Sequence, residues 1–164
     1  MIFLAVGANL PSPFGSPRET CEAAVAAVAA AGVAVVARSH WYESAPVPPS
    51  DQPWYVNGVV ALATDLGPRP LMRLLHRIEA GFGRVRRQRN EARVLDLDLL
   101  AYDDRVLPGP ESPILPHPRL HDRSFVLLPL AELAPDWRHP SSGETIKALI
   151  GRLDPAQVTR PMAG

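Results

Sequence analysis

The sequence is poorest in cysteine. Cys21 stands alone among 164 residues, which excludes an intrachain disulfide and argues against a thiolate zinc site. Lysine is nearly as scarce: of 17 basic residues only Lys147 is not Arg, so any anion site must be built mainly from Arg. Aromatics are 6%, too few to interleave with the Arg residues as stacking platforms for nucleic acid. Net charge is lacking too. Lys+Arg and Asp+Glu are 17 each, a formal balance of +0, which removes the electrostatic grip expected of a nucleic-acid or membrane-surface binder. No apolar run approaches the ~18 residues of a membrane span, and the opening Met-Ile-Phe-Leu-Ala-Val-Gly lacks the basic start of a signal peptide. The Gly-x-x-x-x-Gly-Lys-[Ser/Thr], Gly-x-Gly-x-x-Gly and Gly-x-Ser-x-Gly patterns are absent. A cytoplasmic, single-domain enzyme or binding protein without nucleic-acid or membrane partners is the expectation, working as a monomer.

Proline is abundant, 19 residues, roughly twice the usual ~5%. Because it breaks helix interiors and central strands, its absences locate regular structure. Ile2–Val6 reads as a buried strand. Ser16-Pro17-Arg18-Glu19 carries an N-cap, a proline at the first helical position and a capping-box Glu. The helix it starts places Cys21, Ala24, Val25, Val28 and Ala31 on one face and stops at Gly32. Val33–Tyr42 and Tyr55–Thr64 read as strands around the proline loop Pro46–Pro53. Pro68–Pro70 opens a second helix, with Leu71, Leu74, Leu75, Ile78 and Phe82 on its apolar face, ended by Gly81 and Gly83. Val94–Tyr102 is a strand, Pro108–Pro118 a loop, Phe125–Ala134 a short helix, and Ile146–Ile150 a last turn or strand. The order β-α-β-β-α-β with a C-terminal extension predicts an α+β, ferredoxin-like core: a mostly antiparallel sheet with helices packed on it.

Asp96-Leu97-Asp98 is the sharpest local feature. Residues i and i+2 of a strand share a face, so the two carboxylates lie together while Leu95, Leu97 and Leu99 are buried opposite. Such a pair suits Mg²⁺, which commonly takes one or two carboxylates together with water and phosphate oxygens; two solvated acids are the plain alternative. Just upstream, Arg84, Arg86, Arg87, Arg89 and Arg93 crowd into ten residues. An Arg loop beside an acidic pair fits a metal-bound polyphosphate, since guanidinium forks clamp phosphate oxygens, although a charge run also makes an ordinary solvated loop. Tyr55 and Asn57 share a strand face, an aromatic ring beside an amide that suits a flat heterocycle or, equally, a structural core pair. His117 lies between Pro116 and Pro118, with Arg123 and Phe125 close behind; it can donate to a phosphate or be a loop histidine.

Taken together, these blocks carry a family resemblance. Gly7-Ala8-Asn9-Leu10, Asp51-Gln52-Pro53-Trp54-Tyr55-Val56-Asn57, Arg77-Ile78-Glu79, Gly83-Arg84-Val85-Arg86, Arg93-Val94-Leu95-Asp96-Leu97-Asp98, Leu115-Pro116-His117-Pro118-Arg119 and Arg123-Ser124-Phe125-Val126-Leu127-Leu128-Pro129-Leu130 run from Ile2 to Pro135. The chain resembles the 6-hydroxymethyl-7,8-dihydropterin pyrophosphokinases of folate biosynthesis. The resemblance implies transfer of the β,γ-pyrophosphoryl group of ATP to the pterin hydroxymethyl oxygen, releasing AMP. It implies that Asp96 and Asp98 hold two Mg²⁺ ions, and that Arg84 and Arg93 act with them in catalysis. Arg84, Arg86, Arg93, His117 and Arg123 would surround the ATP phosphates, Glu79 would lie near the nucleotide, and Leu99 and Ile114 would approach adenine through their backbones. Ser44, Val47, Tyr55, Asn57 and Phe125 would surround the pterin, with Asn57 bonded to the ring and Tyr55 and Phe125 sandwiching it. The chain departs from the family's pattern at Ala8, Ala45, Asn90-Glu91-Ala92 and Pro118, none of them a metal ligand or matched phosphate Arg. A non-catalytic pterin- or nucleotide-binding homologue and a ferredoxin-like RNA-binding module are the alternatives; the second needs a basic surplus and sheet-face aromatics.

Overall fold

A computed structural model describes residues 1–46, 48–83 and 94–163. Its centre is made by the two most apolar stretches. β1 (Ile2–Ala8) and β4 (Tyr55–Ala63) are buried along nearly their whole length, as strands covered on both faces must be. They pair antiparallel, Gly7 opposite Asn57 and Ala5 opposite Val59. β5 (Asp96–Tyr102) pairs with the other edge of β1. β2 (Ala34–Arg38) and β3 (Tyr42–Ser44) both pair with β4, and β6 (Thr159–Pro161) closes the order β5-β1-β4-β3-β6. Every named pairing is antiparallel, so the α+β, ferredoxin-like expectation holds in sheet and helices alike.

Period-two alternation sorts the strand residues between two cores. On one face Leu4, Val6, Val60, Leu62, Leu97 and Leu99 pack against α1 (Pro17–Ala30) and α2 (Pro68–Gly81). On the other, Phe3, Val59, Ala61, Leu100 and Ala101 pack under α3 (Ser124–Leu133) and α4 (Ile146–Gly151). Leu100 and Ala101 share this face because a register shift opposite Phe3 and Leu4 inserts an extra residue into β5. The helix starts follow the sequence signals. Ser16 Oγ accepts from Glu19 N while the Glu19 carboxylate accepts from Ser16 N, a reciprocal cap of the kind that stabilises a helix by about 1 kcal/mol. Gly32, at φ 95°, turns the chain out of α1 in a conformation costly for other residues. α2 opens on Pro68 after Gly67 and ends at Phe82, whose ring stacks on Phe14 at 4.4 Å between centroids.

Three features differ from the sequence expectation. The expected strand Val33–Tyr42 is two, β2 and β3, because Ser39 Oγ accepts from Val59 N in place of a ladder carbonyl and Trp41 turns into the core over Gly58. A Cβ on Gly58 would meet the Trp41 ring at 2.6 Å. Ile146–Gly151 is helical, with Thr145 Oγ1 accepting from Ala148 N. Finally, β6 was not expected: it is short, contains Pro161, and exists only through its pairing with β3.

Candidate active site

The second sheet face is only half covered. Beyond the reach of α3, where β1 carries Ala5 and Gly7, the sheet floors a cleft of about 570 Å³. Small residues on β1 leave that floor low, and the flanking strands raise its walls. Gly7 is registered with Asp96 on one side and Asn57 on the other, and Ala5 with Asp98 and Val59. With strands about 4.8 Å apart, Asp96 and Asn57 stand roughly 10 Å from each other across the glycine.

The Asn57 wall is tightly determined. The side chain is buried, and its Nδ2 donates to Ser44 Oγ at 2.7 Å. A Cβ on Gly7 would lie 2.8 Å from Asn57 Oδ1, so the amide occupies space that only a bare backbone leaves free. Tyr55 lies two residues away on the same face, and Ser44 is its register partner. Phe125 and Arg123 come from the start of α3, the guanidinium lying 5.5 Å above the Phe125 ring centroid. The structure therefore brings Ser44, Tyr55, Asn57, Asp96, Asp98, Arg123 and Phe125 to one cleft. The loop ahead of Tyr55 is tied to the end of β1 by buried Asn9, whose Nδ2 donates to Gln52 Oε1 at 3.2 Å and Pro53 O at 3.3 Å.

The acidic wall is electrostatically unsettled. Burial, and then the charge of Asp96, push the Asp98 carboxyl well above the ordinary carboxylate range, while Arg123 pulls the other way. A buried carboxyl whose ionisation is opposed by a neighbouring carboxylate belongs to a donor set that a hard divalent cation relieves. Among the described residues no group of three or more His, Cys, Asp or Glu side chains forms a metal site. An ion here would therefore take its remaining ligands from water and phosphate, as Mg²⁺ commonly does. Burial lowers the Arg123 guanidinium from its usual value and nearby Asp98 opposes the shift; it stays charged.

His117 sits behind this wall. Its backbone N–H donates to Leu100 O at 2.8 Å, docking the proline loop on the edge of β5. Burial, then Arg123, push its imidazole down to about 4, so the ring is neutral at pH 7. Nδ1 accepts from Arg119 N at 3.1 Å, which assigns the proton to Nε2 and makes that atom a donor. Glu79 is buried in α2, and its Oε2 accepts from Leu97 N at 2.7 Å, holding the backbone between the two aspartates. The Leu99 side chain is in the first core and Ile114 is 39% exposed; neither lines the cleft with its side chain. Val47, Arg84, Arg86 and Arg93 lie outside the described residues.

A family model for "7,8-dihydro-6-hydroxymethylpterin-pyrophosphokinase" matches residues 3–135. The chain belongs to this pyrophosphokinase family. Among its relatives are three proteins named 2-amino-4-hydroxy-6-hydroxymethyldihydropteridine pyrophosphokinase. That of Synechocystis sp. is 43% identical over 92% of this chain and 75% of its own length. That of Methylorubrum extorquens is 40% identical over 96% of both, and that of Pseudomonas aeruginosa 44% identical over 85% of this chain and 83% of its own.

Every pyrophosphokinase site residue expected from the sequence lies within the family match. The cleft has a further wall that does not. Arg152, Leu153, Asp154 and Gln157 line it from the C-terminal extension. Arg119 and His121 line it from the segment ahead of α3, and they too were missed. The one sequence signal for the far wall was Asp154-Pro155, a turn opener; nothing local says where that turn will pack.

Proposed function

We propose that this pyrophosphokinase moves the β,γ-diphosphoryl group of ATP onto the hydroxymethyl oxygen of 6-hydroxymethyl-7,8-dihydropterin, giving the pterin diphosphate and AMP. The observation that carries the reading is the row Asp96–Gly7–Asn57. A carboxylate wall for a metal-bound polyphosphate and an amide wall for a heterocycle face one cleft across a bare glycine, in a chain of this family.

On the pterin side, the Asn57 amide is oriented by its donation to Ser44 Oγ, which leaves Oδ1 to accept from a ring N–H. Tyr55 and Phe125 hold the ring by its faces. Positioning of this kind turns the attack into a near-unimolecular event. On the phosphate side, Asp96 and Asp98 would hold two Mg²⁺ ions. When bound, they would neutralise the charge on the phosphates. Arg123 and the Nε2–H of His117 supply further positive and donor groups, and Arg84, Arg86 and Arg93 are proposed to close over the same phosphates. The hydroxymethyl oxygen attacks the β-phosphorus, the bond from that phosphorus to the α-phosphate oxygen breaks, and AMP leaves. The hydroxyl proton is lost late, to water. Glu79 acts by holding the β5 backbone, and Leu99 and Ile114 would meet adenine through main-chain atoms. Val47 completes the pterin surround. The enzyme is proposed to act as a cytoplasmic monomer on these small molecules; among the described residues no helix is long and apolar enough to cross a membrane.

The test is to incubate the protein with ATP, Mg²⁺ and the reduced hydroxymethylpterin and to resolve the nucleotide products. AMP that forms only with pterin present is the expected result. ADP, or no turnover, overturns the reading.

A further inference from the structure

In the proposed reaction Arg123 faces the phosphates and Phe125 the pterin, and both line the cleft, yet α3 does little to fix its own beginning. Arg123 is its N-cap and makes no side-chain cap hydrogen bond. The missing acceptor comes from 33 residues downstream. Gln157 Oε1 accepts from Ser124 N at 2.9 Å, and Gln157 Nε2 donates to Asp122 O at 2.7 Å. One side-chain amide thus grips the main chain on both sides of Arg123. Its two ends face a donor and an acceptor in the only order an amide can satisfy both.

Gln157 is itself held in place. In Asp154-Pro155-Ala156-Gln157, Gln157 N donates to Asp154 O at 3.1 Å and Ala156 N to Asp154 Oδ1 at 2.9 Å. This is a tight turn with Pro at its second position and an Asp that bonds its own backbone two residues on. Immediately after it, β6 pairs with β3, Thr159 opposite Ser44. The clamp is therefore anchored to the strand that orients Asn57. It connects the ring-binding edge of the sheet to the start of α3, from a part of the chain beyond the family match.

We propose that Gln157 is a positioning residue for the transfer reaction, setting Arg123 against the phosphates and Phe125 against the pterin by clamping the backbone between Asp122 and Ser124. The inference rests on the proposed reaction for its kinetic readout. Gln157→Met keeps the length of the side chain and removes both hydrogen bonds. With the Asp122 carbonyl and the Ser124 amide freed, KM for the pterin rises and kcat falls, and kcat/KM drops by about tenfold or more, the scale of a small misplacement of binding groups. Gln157→Glu keeps the acceptor for Ser124 N and loses the donor to Asp122 O, so it falls between Gln157→Met and the wild type. As a control, Arg160→Met cuts another attachment of the same strand, the Arg160–Glu43 pair at 2.6 Å and the stack over Trp54 at 4.8 Å. It is expected to stay within twofold of wild type.

A merely structural role would lower the thermal midpoint and leave the KM of the folded enzyme unchanged. The proposal is overturned if Gln157→Met keeps both kinetic constants within twofold, or if Arg160→Met loses as much. Should Gln157→Met fail to fold, Gln157→Glu decides alone: wild-type constants overturn the proposal, and a raised pterin KM with a lowered kcat supports it. A wild-type protein that makes no AMP would instead remove the transfer reaction itself. The clamp would then be read from Ser124 amide hydrogen exchange, which quickens in Gln157→Met if the clamp exists and is unchanged if it does not.

Discussion

Asp98 differs from an ordinary surface acid because burial and the neighbouring charge of Asp96 make its ionisation costly. Asp96→Asn and Asp98→Asn each remove one charge from the proposed metal-binding wall, and each is expected to lower Mg²⁺-dependent AMP formation by at least about 100-fold. Near-wild-type turnover in either variant would sink the metal assignment. His117 carries a second residue-scale consequence. Its folded pKa, about 4, lies below the usual 6.5, so between those values the unfolded chain binds the extra proton. Its contribution to stability is therefore complete above pH 6.5 and is lost as pH falls through about 4. Urea titrations of wild type at pH 7.5 and pH 5 should show this residue's share of the loss, roughly 1–2 kcal/mol. In His117→Gln that share disappears; an unchanged pH dependence would show that the imidazole is not buried neutral.

At the scale of elements, the cleft depends on β1 being thin where β4 and β5 are not. Gly7→Ala is the test, because its methyl would stand 2.8 Å from Asn57 Oδ1 and the amide would have to leave its place beside Ser44. The expected result is a folded protein whose pterin affinity falls about tenfold or more while ATP affinity changes little. Equal losses for both ligands would place the damage in the sheet as a whole. The elements themselves were largely readable from local signals. The capping box before α1, Pro68 before α2 and the alternation of Asp96, Leu97 and Asp98 all act within a few residues of where they appear. β6 and the division of β2 from β3 were not readable, because each is decided by a distant partner: Ser44 pairing with Thr159 in one case, Val59 N–H on Ser39 Oγ in the other. The acid pair and the Tyr55–Asn57 pair were legible for the same local reason. The wall made by Arg152, Asp154 and Gln157 was not, since only the path of the chain after α4 brings it there.

Across the whole molecule, the two cores are separated by one sheet, and the cleft shares that sheet with both. The balanced net charge fits this arrangement: acidic and basic groups meet at the cleft, and the proposed metal-bound polyphosphate needs both signs. The lone Cys21 gives this architecture a reporter. Its side chain is fully buried under α1, its Sγ lies 3.9 Å from Val56 O, and burial pushes the thiol up to about 12. The residue whose carbonyl it faces sits between Tyr55 and Asn57, on the opposite side of the sheet from the cleft. A thiol reagent can therefore react only when α1 lifts from β4, so labelling speed counts openings of the sheet beneath the Tyr55–Asn57 wall of the cleft. With nucleotide, Mg²⁺ and pterin bound, labelling should slow in proportion to ligand occupancy. Labelling that ignores the ligands would mean that α1 opens independently of the cleft. The chain thus carries, in its single sulfhydryl, a clock for its own breathing that needs no added probe site.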